Sequence, residues 1–69
     1  MPFANLKVPA GTLDAAQKQR LIEGVTDLYA AAYGDRARPN TLVLVDEVVD
    51  GGWGVGGGVL TRAMLEGEE

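Results

Sequence analysis

Two strand-like runs on either side of one helix-length amphipathic segment leave this chain few folds to choose from. Phe3 to Val8 alternates, with Phe3, Asn5 and Lys7 on one side and Ala4, Leu6 and Val8 on the other, the period of a strand with two different faces. Pro9 ends that run, and Ala10-Gly11 make a turn. Leu21, Ile22, Val25, Leu28, Tyr29 and Ala32 then recur at helical spacing, while Lys18, Arg20, Glu23 and Asp27 largely populate the other side. Thr12 or Asp14 can cap this helix, Asp14-Ala15-Ala16-Gln17 reads as a capping box, and Gly34 suits the position after the last turn. Thr41 to Val49 forms the second strand. Its near-continuous apolar run, Leu42 to Val45, suits burial on both faces of a parallel sheet. Strand, helix and strand of these lengths make a β-α-β unit, with Leu21, Val25 and Leu28 expected against the sheet. Gly24, costly inside a helix, is expected to mark a close packing contact.

The remaining segments are punctuation and one hairpin. Asp35 to Asn40 reads as a polar loop containing Pro39. Gly51-Gly52-Trp53-Gly54-Val55-Gly56-Gly57 reads as a tight hairpin in which backbones approach closely, since a flexible linker seldom carries a tryptophan. It lacks the Lys-Ser/Thr that ends a phosphate-binding loop. Met64 to Glu69 is an acidic tail expected to fray. The expected fold is α/β, one domain over residues 1–69.

A single unit of 69 residues buries only roughly 60% of its unfolded surface and is marginal without a staple. The chain has no Cys for a disulfide and no His for an ordinary zinc site, and no metal or cofactor is expected. At 46% hydrophobic residues it is too apolar for disorder. Self-association is the remaining staple. The net charge of −4 argues against nucleic acid as a partner. No apolar stretch reaches the roughly 20 residues that span a bilayer, and the N-terminus lacks the features of a signal peptide. No membrane association is expected, and the cytoplasm is the expected location.

Chemistry points to Pro2. Met followed by a small residue is a usual substrate for methionine removal, and removal would expose a secondary amine. Burial disfavours the protonated form of such an amine and lowers its pKa, and a base tuned near the working pH is an efficient one. The plain structural reading is that Pro2 starts an edge strand, where a missing N–H does no harm.

Met1-Pro2, the β-α-β order, Leu21-Ile22, the strand Val43 to Glu47 and the hairpin Gly51 to Gly57 together resemble the tautomerase superfamily, in particular its short members similar to 4-oxalocrotonate tautomerase. The resemblance implies protomers that pair into four-stranded sheets and assemble as homohexamers. It implies a proline-dependent isomerase that moves a proton in small enol or 2-keto acids, with Pro2 as general base. It places Trp53 in the apolar wall of the site, with Val55 beside it, and Pro9 in the site of a neighbouring subunit. Two arginines expected from the resemblance are missing: their positions hold Thr12 (or Leu13) and Leu42. Arg36 and Arg38 are the nearest substitutes, with Lys7 and Arg62 as further cations. Asp46, Glu47 and Asp50 read as exposed strand-end charges rather than water-activating carboxylates. The alternative reading is a non-catalytic or weakly active tautomerase-like subunit, or a small-ligand binder using Trp53.

Overall fold

The structure is a computed structural model and describes residues 1–67. Strand β1 (Phe3–Pro9) and strand β2 (Leu42–Val48) pair in parallel, Phe3 opposite Leu42 through Pro9 opposite Val48. Helix α1 (Ala15–Tyr33) connects them, completing the expected β-α-β unit. Strands β3 (Trp53–Val55) and β4 (Gly58–Leu60) form a separate antiparallel hairpin. Gly56 and Gly57, at φ 61° and 86°, make its two-residue turn, a conformation that L side chains resist. A four-residue helix, α2 (Arg62–Leu65), follows, capped by Thr61. Met64 and Leu65 of the expected fraying tail are therefore helical, and residues 68 and 69 lie outside the described residues.

Local signals act as the sequence suggests at both ends of α1. The Asp14 carboxylate accepts from the Gln17 N–H at 2.8 Å, and the Gln17 side chain accepts from the Asp14 N–H at 2.9 Å. Gly34, at φ 101°, closes the helix by donating to the Ala30 carbonyl at 2.8 Å. Asp35–Asn40 is a 3-10 helix rather than a plain loop. Its turns are held from within: Arg38 Nε donates to Asp35 Oδ1 at 3.2 Å, and Thr41 Oγ1 donates to the Ala37 carbonyl at 2.9 Å.

One carboxylate ties three elements together. Glu47, near the end of β2, accepts from Lys18 Nζ on α1 at 2.7 Å and from the Gly11 N–H of the first turn at 3.4 Å. The Lys18 hydrogen bond, then the Gly11 N–H, then the Lys18 charge hold the Glu47 carboxyl below its ordinary value.

The helix meets the sheet through a narrower stripe than its periodicity suggests. Val25, Thr26 and Tyr29 are half-buried and Ala30 is buried. Leu28 is 71% exposed, against the expectation that it packs on the sheet. It sits one residue, about 100° of rotation, from Tyr29, which carries it onto the flank. Leu21 falls on the same flank and is 36% exposed. Gly24 makes no close contact within the protomer: a Cβ built on it meets nothing within 4 Å.

The other face of the β1–β2 sheet is uncovered. Phe3 (52% exposed), Leu42 (53%) and Leu44 (47%) lie on it, and the Lys7–Asp46 ion pair (2.6 Å) closes its far end. The apolar run of β2 therefore has only one of its two faces covered in the protomer. The radius of gyration is 14.9 Å, whereas a compact chain of this length has about 11 Å.

Two outcomes follow from these contacts. Asp14→Ala lowers stability by about 1 kcal/mol, read by chemical denaturation. Glu47→Gln flattens the acid limb of the stability curve. The depressed carboxyl contributes above its ordinary pKa of 4.5, and that contribution fades as pH falls through the lower folded value. A variant whose stability between pH 6 and roughly pH 3 falls as steeply as the parent's would contradict this.

Candidate active site

At one end of the sheet, Pro2 is half-buried and its carbonyl accepts from the Leu42 N–H at 2.9 Å. Parallel pairing of β1 with β2 thus fixes the residue before β1 against the start of β2. A cavity of about 240 Å³ opens there, lined by Met1, Pro2, Tyr33 and Ala37. Tyr33 ends α1, and its ring stacks on Tyr29 with centroids 6.2 Å apart and planes 20° apart. The Tyr29 hydroxyl donates to the Phe3 carbonyl at 3.4 Å, so the aromatic pair is referenced to the residue after Pro2. Nothing in the chain's periodicity joins Tyr33 to Pro2, 31 positions earlier.

The two candidate cations of the neighbouring 3-10 helix differ. Arg38 is held by two carboxylates, Asp27 at 2.5 Å and Asp35 at 3.2 Å. The hydrogen bond to Asp27, then that to Asp35, raises its pKa above the usual arginine value. It lines a second cavity with Ile22, Glu23, Thr26 and Asp27, away from Pro2. Arg36 is exposed and immediately precedes Ala37 of the Pro2 cavity.

The other expected site residues gather at the opposite end. The Pro9 carbonyl accepts from Thr12 Oγ1 at 2.7 Å, so Thr12 braces the first turn. Asp50 accepts from the Arg62 N–H at 2.6 Å, and Arg62 Nε donates to Glu66 at 2.9 Å. Arg62 Nη1 lies 3.3 Å from where a Cβ on Gly11 would stand, bringing the guanidinium against the first turn. Trp53 opens the hairpin opposite Leu60, and Val55 is exposed opposite Gly58. The Trp53 indole Nε1 is buried with no hydrogen-bond partner among the described residues.

Strand β1 keeps these groups apart. Seven residues of strand separate Pro2 from Pro9 by roughly 23 Å. Within one protomer the Pro2 end and the Pro9 end do not form one pocket. Among the described residues no three acidic side chains converge as a metal site, and no helix is long and apolar enough to cross a membrane.

A family model described as "Tautomerase enzyme" matches residues 2–63. The chain belongs to the tautomerase family. It is similar to the probable tautomerase K2 of Dickeya dadantii, 39% identical over 62 residues that span 90% of this chain and 91% of that protein. Among solved structures it is similar to DmpI of Helicobacter pylori, at 34% identity and a TM-score of 0.75, covering 99% of this chain and 100% of that one. It is also similar to a structure from the characterisation of the 4-oxalocrotonate tautomerase isozymes of Methylibium petroleiphilum. There the identity is 31% and the TM-score 0.74, covering 93% of this chain and 97% of that one. The β-α-β tautomerase fold and an isomerase activity follow from this membership.

Gly52 decides where the hairpin of this tautomerase leaves β2. A Cβ there would stand 2.9 Å from Val48 Cγ1 and 2.9 Å from the Val49 carbonyl oxygen. Gly52→Ala is therefore expected to cost about 1–3 kcal/mol by overpacking and to shift the Trp53 emission spectrum as the hairpin moves.

Proposed function

We propose that this tautomerase ketonises small enol acids, with the amine of Pro2, freed by removal of Met1, as general base. The observation that carries the reading is the placement of Pro2. It is half-buried, held by Leu42, and lines a cavity of about 240 Å³ in a member of a tautomerase family. The amine accepts the proton of the enol, and the resulting ammonium returns a proton to carbon, so the enol acid becomes the keto acid with no net change in protons. Partial burial favours the neutral amine. A retained Met1 would turn that nitrogen into an amide with no basic lone pair.

The rest of the site comes from a second copy. Pro2 and Pro9 lie too far apart to share one pocket within a protomer. The uncovered Phe3, Leu42 and Leu44 face favours burial against other copies. We assign the assembly as a homohexamer in the cytoplasm, built from protomers whose sheets pair. Pro9, Trp53 and Val55 of one copy wall the cavity at Pro2 of another. Of the two loop cations, Arg36 is assigned to the substrate carboxylate, because Arg38 is already engaged by Asp27 and Asp35. The same engagement of Arg38, with Thr12 bracing the turn and Leu42 lying on the open sheet face, favours one second reading: a weakly active subunit or ligand binder.

Kinetics of processed protein on phenylenolpyruvate test the proposal. Pro2→Ala lowers kcat/KM by roughly 10²–10⁴, the usual worth of a positioned base. Arg36→Ala raises KM for the acid, whereas Arg38→Ala changes it little. Full activity in Pro2→Ala would end the proline mechanism and leave the second reading. Sedimentation shows a hexamer at micromolar concentration, and a folded monomer would refute the shared site.

A further inference from the structure

We infer that Tyr33 is the specificity-determining wall of the Pro2 cavity, and that it selects enol and keto acids carrying a flat aryl or extended conjugated group. This inference rests on the proline-tautomerase reading and deepens it. The cavity is lined by Met1, Pro2, Tyr33 and Ala37. Met1 is absent from the processed chain, and Ala37 offers a single methyl group. Of the residues that the protomer itself contributes, Tyr33 thus presents the large surface beside the base, Trp53 of the proposed assembly coming from another copy. Tyr33 is 69% exposed, so a ligand laid against its ring removes apolar area from water that the protomer leaves uncovered.

The position of the ring is set by two contacts within the protomer. Tyr33 stacks on Tyr29, and Tyr29 donates its hydroxyl to the carbonyl of Phe3. Phe3 is bonded directly to Pro2. The distance from the base to the aromatic wall is therefore held by one side-chain stack, one hydrogen bond and one peptide link. A planar substituent meets an oriented π face, where an offset or edge-on arrangement adds to simple area burial. A short aliphatic acid has no π face to set against the ring and gains none of this.

The test compares parent, Tyr33→Leu, Tyr33→Phe and Tyr33→Ala as processed, assembled proteins, with assembly checked by sedimentation. Calorimetry measures the binding of 3-phenylpropanoate and butanoate, and phenylenolpyruvate supplies the kinetics. Tyr33→Leu keeps apolar bulk without a π face. It and Tyr33→Ala weaken 3-phenylpropanoate about three- to tenfold, leave butanoate unchanged, and raise KM for phenylenolpyruvate more than they lower kcat. Tyr33→Phe behaves as the parent, since the ring and not the hydroxyl forms the wall. The inference is overturned if both acids weaken equally, if Tyr33→Phe loses as much as Tyr33→Ala, or if the parent fails to prefer the aryl acid. Pro2→Ala separates the two levels. If that variant keeps full activity the proline mechanism fails, yet the binding ratio of the two acids still reports on Tyr33.

Discussion

A sheet of two parallel strands covered by one helix leaves its second face bare, and most of what is distinctive here follows from that. Phe3, Leu42 and Leu44 stand on the bare face, and among the described residues Ala30 alone is buried. Hydrophobic burial is the dominant favourable term in folding, and a chain this short has too little interior to supply it alone. The Lys7–Asp46 pair at the far end of the face adds little while exposed to water. The protomer is better understood as a part with a prepared surface than as a finished globule.

The same geometry divides the chemistry. Parallel pairing puts the start of β1 beside the start of β2, so Pro2, Tyr33 and Ala37 meet at one end. At the other end, Pro9 pairs with Val48, and Arg62, which follows the hairpin, lies against the first turn at Gly11. Neither end has by itself both the amine and the indole. In the assembly proposed for this tautomerase, the step that buries the apolar face would also complete the pocket.

Charge placement shows how local pairing limits which cations can act on a substrate. Arg38 sits one turn from Asp35 and across from Asp27, and the two carboxylates claim it. Lys18 is likewise claimed by Glu47, where it fastens α1 to β2. These pairs serve the folded protomer. Arg36 has neither role.

The sequence by itself determined the β-α-β order, the capping box at Asp14, the closing Gly34 and a Gly-rich hairpin after the second strand, while the structure placed its turn at Gly56-Gly57. These features depend on φ/ψ preferences and on hydrogen bonds between residues a few positions apart, which neighbouring letters specify. Pro2 was legible as a candidate base because its chemistry is intrinsic to one residue. The exposure of Leu28 was not legible, since helical periodicity identifies a stripe but not which edge of it meets the sheet. The 3-10 helix depended on the pairing of Arg38 with Asp35 and the capping of Ala37 by Thr41. Tyr33 joined Pro2 only through the pairing of strands 39 positions apart, Phe3 with Leu42. The bond from Gly11 to Glu47, and the contact of Arg62 with the first turn, likewise arise where distant segments are brought within a few ångströms. Tertiary structure decided these, because contact between remote residues depends on how the elements pack and not on any property of either residue alone.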